Sequence, residues 1–295
     1  MNEFAVFLVL LSTVFHATWN LLAKSQRSKH TFLHRAAIAV VLFGFAPILV
    51  LHISLPEWPS RLWLFIGLTG LFGGSYLFAL ARAYGSGDFT VVYPLARSVP
   101  VLLVGGADIF RGHSPTTLGW VGMALVAVAC LIAPVRSLSE IGLKHYKQAA
   151  LVWVILAAVA TAGFSVVDNS AAELLPRGPR SAAVYCYGFY ASSMIVFTLL
   201  LRLLGRSGED RKSVGWRRPC VAAGLTFASY WLVVWSYQIV DRAGYVVAFR
   251  QMSILIGVGL GSFLFRERGV FLRVAAAVLM ISGLILIALF GRSAP

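Results

Sequence analysis

Charge is scarce in this chain. Asp, Glu, Lys and Arg make up 12% of its 295 residues, roughly half of what a soluble globular domain carries, which excludes an ordinary water-soluble fold. Acidic residues number eleven, lie mostly in loops and form no HExxH or DxD-type cluster. Paired catalytic carboxylates and a metal centre are therefore not expected. The three cysteines, Cys130, Cys186 and Cys220, lack CxxC spacing and clustered histidines, so they read as small apolar fillers rather than disulfide partners or metal ligands. No GxxxxGK[ST] loop is present, so ATP hydrolysis is not expected. GVGLGS, from Gly257 to Ser262, looks briefly like a phosphate loop, but it sits inside an apolar block without the strand that motif needs. Close helix packing explains it better.

What the chain has in abundance is apolar length. Hydrophobic residues reach 59%, and cutting at charged and Pro/Gly-rich gaps leaves blocks of the roughly 20 residues that a membrane span requires. They run Glu3 to Ala23, Thr31 to His52, Leu62 to Tyr84, Phe89 to Phe110, Thr116 to Pro134, Gln148 to Ser170, Ser181 to Leu204, Cys220 to Val240, Gly244 to Phe265 and Val270 to Gly291. The blocks have helical length and lack the alternation of barrel strands. The expected fold is an all-α integral membrane protein with ten transmembrane helices. The first block has no basic n-region and carries His16, Trp19 and Asn20 where a signal core would be apolar, so it reads as a retained helix.

The net charge of +14 could suggest a nucleic-acid partner, but the Lys and Arg sit in short gaps between apolar blocks. Taken alternately, the gaps on one side collect most of them, from Lys24 and Arg27 to Arg268 and Arg273. The other side holds Arg61, Arg111, Arg177, Arg180, Arg242 and Arg292. This bias places the rich side in the cytoplasm and both termini outside it, in a multi-pass protein of the cell inner membrane. The longest gap, GRSGEDRKSVGWRRP from Gly205 to Pro219, dominates the bias.

The second half resembles the first at a shift of about 145 residues early and 154 to 155 later, far longer than a solenoid repeat. Ser75 and Tyr76 fall on Ser229 and Tyr230, Val91 and Val92 on Val246 and Val247, Ser98 on Ser253, and Phe110 and Arg111 on Phe265 and Arg266. Two halves of five helices, residues 1–145 and 146–295, would insert in opposite orientations, as inverted repeats of secondary transporters do.

HATWNLLAK near the start, VVYPLARSVPVL in helix 4 and VVAFRQMSILIGVGLGSFLFRER in helix 9 resemble the EamA-type members of the drug/metabolite transporter superfamily over nearly the whole chain. The resemblance implies alternating access through a central cavity lined by helices 3, 4, 8 and 9. Two features depart from the family pattern. Relatives often keep both termini in the cytoplasm, and they often carry an acidic residue where Arg111, Gly112 and His113 follow helix 4, whereas the helix 9 counterpart keeps Glu267.

Ionisable groups inside a bilayer are costly and mark functional sites. Arg97 and Arg250 lie roughly 10 to 13 Å into helices 4 and 9 at 1.5 Å per residue, and each guanidinium offers a fork suited to a carboxylate, phosphate or phosphonate. Pro94 and Pro100 can bend helix 4 and free carbonyls beside Arg97. His16, Trp19 and Asn20 share a helical face at i, i+3 and i+4; His16 is the expected proton carrier and Asn20 a substrate donor. Tyr76, Tyr230, Trp231 and Trp235 offer aromatic walls with polar tips, and Tyr93 and Gln251 flank the arginines. Asp168 and Asn169, whose counterparts Ala23 and Lys24 end helix 1, are expected near the membrane surface. Asp108 is expected to pair with Arg111.

These readings converge on a secondary transporter for a small anionic or zwitterionic metabolite, such as an amino acid, organic acid or phosphonate, with no bound cofactor. A coupled proton or an exchanged solute would drive it, and a single chain suffices for the pathway, although a dimer is compatible with it. Export of amphipathic or aromatic compounds is the alternative. An intramembrane enzyme acting on lipid-linked substrates lacks the carboxylates or metal cluster it would need.

Overall fold

The computed structural model describes residues 1–24, 26, 28–86, 89–133, 148–205, 215–256 and 270–291. Ten helices are labelled here among them: α1 (Glu3–Lys24), α2 (Lys29–Ile53), α3 (Ser60–Ser86), α4 (Phe89–Phe110), α5 (Thr117–Ile132), α6 (Gln148–Ala172), α7 (Pro179–Leu203), α8 (Arg217–Tyr237), α9 (Ala243–Arg250) and α10 (Val270–Phe290). Seven of the described helices are long and apolar enough to cross a membrane, and Thr117–Ile132 and Ala243–Ile256 are shorter apolar helices. The all-α membrane architecture read from the sequence is present.

Local chemistry sets the helix ends. Thr116 caps α5 by accepting the Gly119 N–H at 3.0 Å, leaving one fewer unsatisfied donor in the first turn. Pro179 opens α7 at a position where a missing N–H costs nothing. α4 ends at Gly112, whose φ of +78° lets the His113 N–H return to the Asp108 carbonyl at 2.9 Å and the Gly112 N–H to the Ile109 carbonyl at 3.1 Å. That is a left-handed glycine cap, and a side chain there would be strained.

α4 is continuous through Pro94 and Pro100, and the span expected from Gly244 to Phe265 is interrupted by one turn residue in its described part. α9 stops at Arg250, turns at Gln251 and resumes over residues 252–256. A side-chain hydrogen bond accompanies the turn. Gln251 Nε2 donates to the Val247 carbonyl at 2.9 Å, the acceptor that its own N–H would use in a regular helix. The Gln251 N–H falls back to the Ala248 carbonyl at 3.0 Å, tightening the turn. Residues 257–269, including the GVGLGS segment and Glu267, lie outside the described residues.

The helices pack in an exchange pattern. α3 lies against α6 and α7, while α8 lies against α1 and α2; α4 meets α9, and α5 meets α10. Helix-to-helix hydrogen bonds accompany this packing: Ser229 Oγ to the Ser12 carbonyl at 2.9 Å, Tyr187 Oη to the Val41 carbonyl at 3.1 Å and Tyr190 Oη to the Thr226 carbonyl at 2.9 Å. α4 and α9 approach at Gly244, where an added Cβ would lie 2.9 Å from the Gly105 backbone. Phe43, Val50 and Ile53 on α2 and Phe271, Val278 and Leu289 on α10 point outward, as helices bathed in lipid require.

Candidate substrate-binding site

The interior of the bundle holds a cavity of about 90 Å³. His16, Trp19, Asn20, Tyr76, Arg97, Tyr230, Arg250 and Gln251 all line it, so α1, α3, α4, α8 and α9 bring most of the candidate residues together. Trp231 and Trp235 do not line it. They stack on each other with ring centroids 6.2 Å apart, and Trp231 Nε1 donates to the Pro179 carbonyl at 2.7 Å, which ties α8 to the start of α7. The side chain of Tyr93 lies outside the described ones.

On α1, the helical spacing places three polar side chains on one face, and they serve one another. Trp19 Nε1 meets His16 Nδ1 at 3.3 Å with the rings edge to face. Asn20 Nδ2 donates to the His16 carbonyl at 2.8 Å. The other ring nitrogen of His16, Nε2, faces Arg97 Nη2, joining α1 to α4. A neutral imidazole accepts at only one nitrogen, so His16 serves Trp19 or Arg97 but not both at once. Arg250 acts on His16 only through its electrostatic field. Among the lining residues, all of them described, there is no Asp or Glu.

The cavity also has an aromatic wall. Tyr76 meets Phe164 edge to face at 5.7 Å, Phe164 meets Tyr230 at 5.8 Å, and Phe189 lies 4.5 Å from Tyr230 and 5.0 Å from Tyr190. Arg250 caps this wall, its Cζ 5.3 Å from the Tyr230 ring centroid, a cation over a π face. Phe164, Phe189 and Tyr190 were missed in the sequence, and nothing distinguishes Phe189 and Tyr190 among 20 Phe and 10 Tyr. Phe164 is four residues before Asp168 on α6, and that spacing was the available signal.

Asp168 stands near the end of α6 as expected, but it is wholly buried in the protein. Tyr185 Oη donates to its Oδ1 at 2.8 Å and Tyr230 Oη to its Oδ2. Asp108 does pair with Arg111, at 3.2 Å, in a wider network: Arg111 also donates to Asn169 Oδ1, Ser170 Oγ and Glu173 Oε1. These bonds join the ends of α4 and α6 outside the cavity.

Comparison with known proteins agrees with this architecture. Residues 3–133 match the EamA-like transporter family. A curated protein from Sinorhizobium sp, described as an uncharacterized transporter in the cobO 3' region, is 34% identical over 79 residues, which is 27% of this chain and 56% of the relative. The matched stretch thus spans about half the length of that relative. A solved crystal structure is similar in fold, with a TM-score of 0.66 at 15% identity over 98% of each chain. The all-helical membrane fold and the match over residues 3–133 make this chain similar to the EamA-like transporter family over its first half.

Proposed function

We propose that the chain is a secondary transporter that moves a small anionic or zwitterionic metabolite across the inner membrane by alternating access. The observation that carries this reading is the charge of the cavity: Arg97 and Arg250 line it, and among the described lining residues there is no carboxylate. Two guanidinium forks in a low-dielectric site favour a carboxylate, phosphonate or phosphate group. The aromatic wall suits the apolar remainder of a small metabolite. The packing exchange in which α3 relates to α6 and α7 as α8 relates to α1 and α2 supports two inverted five-helix repeats, residues 1–145 and 146–295, moving against each other. The charge bias of the loops puts both termini outside the cytoplasm. Differential binding to inward-open and outward-open states would drive transport.

The test is thermal stabilisation of the purified protein across amino acids, organic acids, phosphonates and lipophilic cations, since a ligand bound to the folded state raises its stability by mass action. Stabilisation by anions that is lost in Arg97→Ala and Arg250→Ala is the expected result. A second reading, export of amphipathic or aromatic compounds, draws on the wall formed by Tyr76, Phe164, Phe189, Tyr190 and Tyr230. It predicts stabilisation by lipophilic cations that survives both arginine substitutions.

A further inference from the structure

Behind the cavity wall lies a carboxylate that the binding reading does not use. Asp168 is fully buried within a span of α6. Among the described residues it makes no ion pair, and its hydrogen bonds come from two phenols, Tyr185 on α7 and Tyr230 on α8. The titratable and charged groups facing it are Tyr185 and Cys186 from α7, Tyr230 and Tyr237 from α8, and Arg250 from α9, with the hydroxyl of Thr69 from α3. Arg250 is the one cation in that set. It reaches Asp168 only as a field, because its guanidinium lies over the Tyr230 ring while the Tyr230 hydroxyl bonds the carboxylate. Tyr230 therefore touches both charges and lines the cavity.

We propose that Asp168 is a proton-binding site coupled through Tyr230 and Arg250 to the cavity, so that an anion binds together with a proton. This rests on the anion reading given above. With the site empty, the positive charge of Arg250 compensates the carboxylate. An anion held by Arg250 brings a second negative charge to the same low-dielectric region, and two like charges there repel strongly. A proton entering on Asp168 Oδ2 removes that repulsion. The hydrogen bond then reverses: the Asp168 O–H donates to Tyr230 Oη, and the Tyr230 proton turns toward the cavity, where it becomes a donor for the anion. Proton and anion each strengthen binding of the other, as reciprocal linkage demands. The site thus combines a buried carboxylate of the kind that marks proton relays in membranes with a tyrosine that reports its state to the substrate. His16, the proton carrier expected from the sequence, is a poorer choice, since both its nitrogens already face donors in Trp19 and Arg97.

The experiment mixes purified protein in weakly buffered micelles with methanesulfonate, succinate or L-glutamate while a pH-indicator dye follows the solution and thermal shift follows binding. Methanesulfonate has no exchangeable proton of its own in the assay range, so any uptake belongs to the protein. The expected result is proton uptake concurrent with anion stabilisation in the wild type. In Asp168→Asn, which mimics the protonated carboxyl, uptake is lost and anion stabilisation becomes independent of pH. In Tyr230→Phe, which keeps the ring under Arg250 but removes the hydroxyl, uptake persists with weaker dependence on the anion. Anion stabilisation of the wild type without proton uptake overturns the proton site and leaves the anion reading standing, whether or not Asp168→Asn folds. Failure of all three anions to stabilise the wild type overturns the anion reading and the coupling with it.

Discussion

The carboxylate of Asp108 on α4 accepts the backbone N–H of Gly244 at 2.8 Å. Its other oxygen accepts the N–H of Ala243 at 3.2 Å. The first turn of α9 is thus satisfied by another helix, because its own N-cap residue, Arg242, offers no side-chain cap. A negative group at a helix N-terminus also meets the positive end of the helix dipole. This bond clamps the end of α4 to the start of α9, and Arg111 extends the clamp to α6.

Removing the clamp leaves two backbone donors unsatisfied and strips Arg111 of one of its carboxylates. Asp108→Ala is therefore expected to lower stability by about 2 to 4 kcal/mol. Asp108→Asn retains one oxygen acceptor in the same place and loses less. Thermal unfolding in micelles measures both, and an unchanged midpoint in Asp108→Ala would refute the clamp.

The Gly244 contact with Gly105 yields a second expectation. A Cβ at residue 244 would press on backbone at 2.9 Å, which cannot rotate away as a side chain can. Gly244→Val should cost about 1 to 3 kcal/mol through overpacking. Gly224 on α8 has nothing within 4 Å of an added Cβ, so Gly224→Ala should leave the unfolding midpoint unchanged or slightly raised. Equal losses at the two positions would refute the α4–α9 approach as the cause of the Gly244 penalty.

Much of the fold was legible because apolar length is a strong signal in lipid: the limits of α1, α4 and α6 follow the blocks closely. The arginines and the polar face of α1 were legible for the same reason, since a charge in an apolar block stands out. The break in α9 was not. It accompanies the Gln251 side chain reaching the Val247 carbonyl, a contact that one glutamine in a sequence does not announce. The burial of Asp168 was hidden similarly. Its place near a helix end suggested solvent, and only the packing of α7 and α8 against α6 encloses it.

The α9 break should respond to the bond that accompanies it. Gln251→Leu removes the side-chain donor to the Val247 carbonyl, and residue 251 is expected to return to regular helix. Arg250 would then leave its position over the Tyr230 ring, weakening anion stabilisation while the fold persists. Gln251→Glu tests the same point with charge added, since a carboxylate cannot donate to that carbonyl. Full retention of anion stabilisation in Gln251→Leu would show that the turn does not present Arg250.

Replacement of the arginines by lysine separates charge from geometry. A lysine keeps the positive charge but offers a point donor in place of a planar fork. Charge-assisted hydrogen bonds contribute about 1.5 to 3 kcal/mol, so Arg97→Ala or Arg250→Ala should weaken anion binding by roughly ten- to a hundredfold. Arg97→Lys and Arg250→Lys should fall between alanine and the wild type. Arg97→Lys also changes the contact with His16, so its loss should be reduced when His16 is already Ala; Arg250 acts on His16 only through its field, so its coupling with His16→Ala should be smaller. Trp231 stands outside the cavity, so Trp231→Ala should leave the anion affinity unchanged while lowering stability through the lost bond to Pro179. Isothermal titration with the stabilising anion reads the affinities. Lysine variants as weak as alanine would assign recognition to the guanidinium fork, and lysine variants as strong as arginine would assign it to charge alone.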